Sequence, residues 1–204
     1  MLAARGRIAL ALLAGLLFLN GCAQQTLKPV KAPDAQWKSR LARLSTTSDW
    51  DLTGRIAVRL EKDGGSASLQ WQQRQENYSI RIVGPFGKGS LQLDGDAHGV
   101  SMEDSEGNTQ RAATPESLML RELGWQVPVS GLRHWILGIP DPALSLEELM
   151  LDDAGRATRI SQAGWEINLE RYREFDELDL PSRVELLTRD LKVKLLIKRW
   201  KLSS

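Results

Sequence analysis

A chain of 204 residues with 27 basic and 26 acidic side chains is nearly neutral, which excludes the broad positive field that nucleic-acid binding requires. Its one cysteine excludes an internal disulfide, and its two histidines, His98 and His134, stand in no metal-ligand spacing. The length is enough for one domain with a real core behind a short leader.

The leader comes first in the chain. Arg5 and Arg7 precede an uncharged apolar run from Ile8 to Leu19. A run of about a dozen residues is too short to cross roughly 30 Å of hydrocarbon as a helix, and it has the length of a signal-peptide core. It ends in Leu19-Asn20-Gly21-Cys22, which has the form of a lipobox, an apolar residue and two small or tolerant positions before a cysteine. An ordinary secretory signal or a short membrane anchor is the competing reading; a lone thiol in an exported protein calls for an explanation, and acylation supplies one. The expected organisation is a signal peptide over 1–21, a lipidated linker over 22–33 and one domain over 34–204. Ala23, Gln24 and Gln25 lack the acidic residue that retains lipoproteins of enteric bacteria at the inner membrane, so an outer-membrane location is expected.

From Asp34 the spacing predicts a helix with Trp37, Leu41 and Leu44 on one stripe. From Trp50 the period falls to two. Leu52, Gly54, Ile56, Val58 and Leu60 share one face, against Thr53, Arg55 and Arg59 on the other. Asp63-Gly64-Gly65 is a turn. Leu69 and Trp71, then Tyr78, Ile80 and Ile82, then Leu91 and Leu93, continue the alternation, and a short strand around Val100 and Met102 turns at Glu106-Gly107-Asn108. The middle differs. Thr114 and Pro115 open a helix through Leu118, Met119 and Leu123 that Gly124 closes, and Ser130 is the expected cap of a second helix, Gly131 to Leu137. Leu144 to Leu151 reads equally as helix or strand. Strands resume over Arg156 to Ser161, at Trp165, Ile167 and Leu169, at Val184 and Leu186, and at Leu191, Val193, Leu195 and Ile197. The expected fold is mainly β: an open, half-closed antiparallel barrel of about eleven strands with short helices as a lid over its apolar face. That face is either packed solid or leaves room for an apolar ligand. Seven tryptophans against three phenylalanines favour a walled pocket.

No pattern for catalysis emerges. There is no G-x-S-x-G elbow, Gly84 to Ser90 lacks phosphate-loop spacing, and the pairs Glu147-Glu148 and Asp152-Asp153 fall where solvated turns or surfaces would place them. No enzyme activity, metal or cofactor is expected. One loop is unusual: Val83-Gly84-Pro85-Phe86-Gly87 sets an aromatic among glycines and a proline. Phe86 either folds back on the sheet or projects as an apolar wedge.

The lipobox, the Gly84-Pro85-Phe86-Gly87 loop, Trp71-Gln72-Gln73, and Leu132-Arg133-His134-Trp135-Ile136-Leu137-Gly138-Ile139-Pro140 together resemble the LolB family. The resemblance runs from about Trp37 to Trp200. It implies an outer-membrane receptor that takes acylated lipoproteins from a LolA-like periplasmic carrier and passes them to outer-membrane lipids, acting as a monomer without nucleic acid. Cys22 would carry the acyl anchor, and the domain would face the periplasm. Gly84, Pro85, Phe86 and Gly87 would form the membrane-insertion loop, with phenylalanine where the family commonly has leucine. The acyl-chain cavity is expected to be lined by Ile56, Val58, Leu69, Trp71, Ile80, Ile82, Leu91, Leu93, Trp135, Ile136 and Trp165. A structural lipoprotein with a packed barrel and no ligand is the alternative.

Overall fold

A computed structural model describes residues 35–60, 64–87, 89–124 and 127–202, with Phe86 described by its backbone. The expected signal peptide, Cys22 and the linker lie outside the described residues. Eleven strands form one antiparallel sheet: β1 (Asp49–Leu60), β2 (Gly64–Arg74), β3 (Asn77–Val83), β4 (Ser90–Gly95), β5 (Val100–Asp104), β6 (Thr109–Ala112), β7 (Leu146–Leu151), β8 (Ala157–Gln162), β9 (Trp165–Phe175), β10 (Leu178–Leu187) and β11 (Leu191–Leu202). Their spatial order is β6-β5-β4-β3-β2-β1-β11-β10-β9-β8-β7. The chain therefore walks out from β1 to one edge, crosses to the other edge, and walks back until β11 pairs with β1. β6 and β7 are the two edges and do not pair with each other, so the barrel is open. Two helices occupy the crossing, α2 (Pro115–Leu123) and α3 (Val129–Trp135), while α1 (Ala35–Ser45) precedes the sheet.

Register fixes which side chains share the inner face. Leu52 pairs with Trp71 on one side and Trp200 on the other; Trp71 pairs with Ile80, Ile80 with Leu93, and Leu93 with Met102. Because alternation has period two, every second residue from these points also faces inward. Trp50, Trp71 and Trp200 meet there, with ring centroids 5.2 Å apart for Trp50–Trp71 and 5.1 Å for Trp50–Trp200. Tilted and edge-on arrangements at that spacing are the ones aromatic quadrupoles favour.

Curvature has a local cause at Gly54. The β1–β11 register shifts between Thr53 and Gly54, so β11 carries one extra residue at Lys198. A Cβ on Gly54 would lie 2.3 Å from the Leu196 carbonyl oxygen. The bulge bends β11 against β1 where no side chain can intervene.

The outer face is polar, with one buried acid. The Glu185 carboxylate accepts hydrogen bonds from Lys194 Nζ at 2.8 Å and Arg183 at 2.8 Å, and Lys192 Nζ stands 3.0 Å away. Those bonds, from Lys194 and Arg183 above all, lower its pKa to about 2.

The helices depart from expectation in one respect. Thr114 caps α2 by accepting from the Ser117 N–H, and Gly124 closes it in the left-handed region, as the spacing predicts. Ser130, however, is not the cap of α3. The helix starts two residues earlier, at Val129 after Pro128, and the Ser130 N–H donates instead to the Glu116 carboxylate of α2 at 3.1 Å. A carboxylate from the neighbouring helix satisfies the N-terminal donor and suits the positive end of the helix dipole. Within the ambiguous segment from Leu144 to Leu151, residues Leu146–Leu151 form strand β7, an edge strand whose first residue, Leu146, is 47% exposed.

Two expectations follow. Gly54→Val should destabilise the domain by about 1–3 kcal/mol, read as a lower urea midpoint, because overpacking against backbone cannot relax. Glu185 holds its proton less tightly folded than unfolded, so its contribution is complete above its ordinary value near 4.5 and is lost as pH falls toward 2. Glu185→Gln should flatten the acid limb of stability measured across that window.

Candidate functional site

The concave face is closed where α3 packs on it and apolar but incompletely covered elsewhere. The helix α3 is tied down from three sides. Trp135, fully buried, donates its indole N–H to Gln162 Oε1 at 2.8 Å, and the same oxygen accepts the Asp141 N–H at 2.9 Å. The Gln162 amide nitrogen donates to the carbonyls of Asp141 and Leu144, both at 3.0 Å. One buried amide thus satisfies four groups and clamps the segment after α3 onto β8. Arg133 reaches Glu76 in the β2–β3 turn at 2.7 Å, and Glu116 holds the helix start. Gln73 repeats the device on a smaller scale: it accepts from the Trp71 indole at 3.0 Å and donates to the Gln75 carbonyl at 2.7 Å.

His134 lies among these groups and has no catalytic setting. Burial lowers its pKa, opposed by Asp141, whose carboxylate is 3.9 Å away. A neutral imidazole can accept the hydrogen bond that Arg133 Nε donates to its Nε2 at 3.3 Å. His98 sits in an exposed turn after β4.

The expected lining residues divide into two groups. By register, the nine on strands, Ile56, Val58, Leu69, Trp71, Ile80, Ile82, Leu91, Leu93 and Trp165, share the inner face. Of the whole set, Leu69, Trp71, Ile80, Leu93, Trp135 and Ile136 are buried by neighbouring side chains. Ile56, Val58, Ile82, Leu91 and Trp165 remain half-buried. The tryptophans mostly do not wall a pocket. Trp37, Trp50, Trp71, Trp135 and Trp200 are packed core, and among the described tryptophans only Trp165 retains exposure. Ring size explains this: large rigid rings fill the wide end of a curved sheet that three short helices cannot fill.

Sequence reading missed Gln162 and the part played by Gln73. The signal was available, since both stand at inward positions of an alternating strand, Ile160-Ser161-Gln162 and Trp71-Gln72-Gln73. A polar residue on an apolar face is expected only where it has buried groups to satisfy.

The Gly84–Gly89 loop joins β3 to β4 at the end of the strands away from α1. The Gly84 N–H donates to the Gly89 carbonyl at 3.0 Å, and Pro85–Gly87 form one 3₁₀ turn. Gly87 and Gly89 both have φ of +74°, and added Cβ atoms there would meet nothing within 4 Å. These glycines are required by backbone conformation, not by crowding, and the turn projects from the barrel rim.

The LolB family model, described as outer membrane lipoprotein LolB, matches residues 48–200. The chain belongs to the LolB family. It is 40% identical to the outer-membrane lipoprotein LolB of Alkalilimnicola ehrlichii over 98% of both chains, and 39% identical to that of Halorhodospira halophila over 96% of this chain and 97% of the relative. Among solved structures, a LolA superfamily protein from Nitrosomonas europaea aligns with TM-score 0.56 at 9% identity, covering 82% of this chain and 93% of that one. A putative outer membrane lipoprotein-sorting protein domain from Vibrio parahaemolyticus aligns with TM-score 0.52 at 6% identity, covering 83% and 91%. These two likenesses establish a shared fold. Like its LolB relatives, the chain is an outer-membrane lipoprotein.

Gln162→Leu tests the clamp. It leaves the Trp135 indole and the 141–144 backbone without partners, and should cost about 3 kcal/mol. Thermal unfolding should start earlier, with Trp135 reporting the loss as a fluorescence change before global melting.

Proposed function

We propose that this LolB-family chain is the receptor that accepts acylated lipoproteins from a LolA-like periplasmic carrier and inserts them into the outer membrane. The observation that supports it is the half-buried apolar patch on the inner face, Ile56, Val58, Ile82, Leu91 and Trp165. A packed structural barrel has no use for such a patch at its mouth. In this reading, acyl chains rest on these five residues. Leu69, Trp71, Ile80, Leu93, Trp135 and Ile136 form the wall behind them.

The physics sets the task. Each exposed methylene costs about 0.8 kcal/mol, so a chain of about 16 carbons costs on the order of 12 kcal/mol in water. Passing it directly from one apolar cavity to another avoids that cost and breaks no bond, so no catalytic group is needed. Phe86, on the projecting turn of Gly84, Pro85 and Gly87, is the element that enters the bilayer and promotes release. Cys22, acylated after loss of residues 1–21, anchors the protein, and residues 22–33 link it to a periplasm-facing, monomeric domain.

Cargo transfer from a loaded carrier to the chain bearing Cys22→Ser is the deciding measurement; no transfer would remove the receptor reading. Val58→Asp, at a half-buried position, should leave folding intact and lower uptake about tenfold or more, because a buried carboxylate opposes an acyl chain. Phe86→Glu should accept cargo normally yet fail to deliver it to liposomes, and normal delivery would remove Phe86 from the mechanism.

A further inference from the structure

The outer face of the two central strands carries more cations than the one carboxylate that the fold sets among them, Glu185, can offset. Arg55 and Arg59 on β1 are exposed, and neither has an acidic partner among the described residues. Arg55 meets only the Ser66 hydroxyl, at 3.3 Å. On β11, Lys192 and Lys194 share the single carboxylate of Glu185 with Arg183. Arg59 stands directly opposite Lys192 in the β1–β11 register. Like charges at directly opposed positions destabilise a sheet, so the Arg59–Lys192 opposition works against the fold that contains it. Leu196, opposite Arg55, is 41% exposed in the middle of this cationic field. The chain as a whole is nearly neutral, so the field is local.

Its position is informative. The Gly84–Gly89 turn touches β2, and β2 alone separates β3 from β1. With strands about 4.8 Å apart, Arg59 and Arg55 lie on strands roughly 10 Å from the turn and Lys192 and Lys194 roughly 15 Å. The cations face outward, away from the concave face along which cargo would pass. A carrier meeting the mouth of the barrel has no need of them. A bilayer is within reach of them, since the family places the chain at the outer membrane as a lipoprotein.

We infer that Arg55, Arg59, Lys192 and Lys194 form a headgroup-docking face for anionic phospholipid, which sets the barrel's posture on the membrane beside the insertion turn. The inference rests on the receptor reading for its purpose, while the binding itself is measured independently. Each cation near an anionic leaflet raises partitioning about fivefold, and screening within a Debye length of about 8 Å makes the effect salt-dependent. Glu185 leaves Lys192 and Lys194 partly neutralised, so Arg55 and Arg59 carry most of the effect.

The test uses the chain from residue 22 onward with Cys22→Ser, which removes only the leader and the acyl anchor. Co-flotation is measured with vesicles of phosphatidylcholine alone and of equimolar phosphatidylcholine and phosphatidylglycerol, at low and high salt. Binding to the anionic vesicles should be about tenfold tighter or more, and the difference should vanish at high salt. The Arg55→Glu/Arg59→Glu variant should lose the preference, and Arg55→Gln/Arg59→Gln, which adds no repulsion and guards against misfolding, should lose most of it. Equal binding to both vesicles, or a preference unchanged in both variants, overturns the inference. Cargo uptake from a loaded carrier is read without vesicles in the same proteins. Loss of uptake in the variants, with vesicle binding retained, would make this a protein-docking face and also overturn it. Failure of uptake in the parent chain would sink the receptor reading alone, leaving the vesicle result to stand or fall by itself.

Discussion

One continuous apolar face on an eleven-stranded sheet is the constraint from which the remaining structure follows. Three short helices cannot cover so wide a surface, so the sheet curls and covers part of it with itself. Curling needs a place to bend, which Gly54 and the β11 bulge provide, and large side chains at the wide end, which Trp50, Trp71 and Trp200 provide. Closing the barrel completely would pair β6 with β7. The crossing segment with α2 and α3 runs between those edges instead, and the gap persists.

The concave face then acquires two characters. Buried amides convert a loose lid into a fixed one: Gln73 holds Trp71 at the α1 end of the sheet, and Gln162, opposite Trp165 in β9, holds Trp135 and the 141–144 backbone. No comparable polar device holds the half-buried Ile56, Val58, Ile82 and Leu91 among the described residues, and their partial exposure is the unfilled remainder of the same apolar face. A rigid floor beside an open rim is a sensible division for the proposed receptor, which would hold a chain and then let it go. Chain dissociation needs no unfolding if the floor does not move.

Much of this could be read from the residues. Alternation from Leu52 to Val58, and again at Trp71, Ile80 and Leu93, was enough to put the inner face on the right side, because one correct register propagates through antiparallel hairpins with short turns. What alternation could not supply was the depth of each side chain on that face. Trp71 and Trp165 obey the same pattern, yet one is sealed, with Trp50 against it, and the other is not; alternation is equally silent on where α3 lands. That landing is decided by Gln162, 27 residues beyond Trp135, and by Glu116, whose carboxylate replaced the expected Ser130 cap. Long-range polar contacts leave no periodic trace. Leu146 was ambiguous for a different reason: on an edge strand its exposure breaks the alternation that identifies strands.

The place where α1 joins the barrel has a further consequence. Its first residues pack near Gly155 and its Arg43 bonds the Glu177 carbonyl in the β9–β10 turn, so α1 begins at the end opposite the Gly84–Gly89 turn. A twelve-residue strand such as β1 is about 40 Å long, and the twelve residues between Cys22 and Ala35 can span at most about the same distance. With Cys22 as the proposed anchor, that reach would leave two postures that bring the turn to the same bilayer: residues 23–34 almost fully extended, at a large cost in chain entropy, or the barrel reclined with its strands along the membrane plane. On that proposal the number of residues between Cys22 and α1 becomes a geometric setting of the molecule rather than filler.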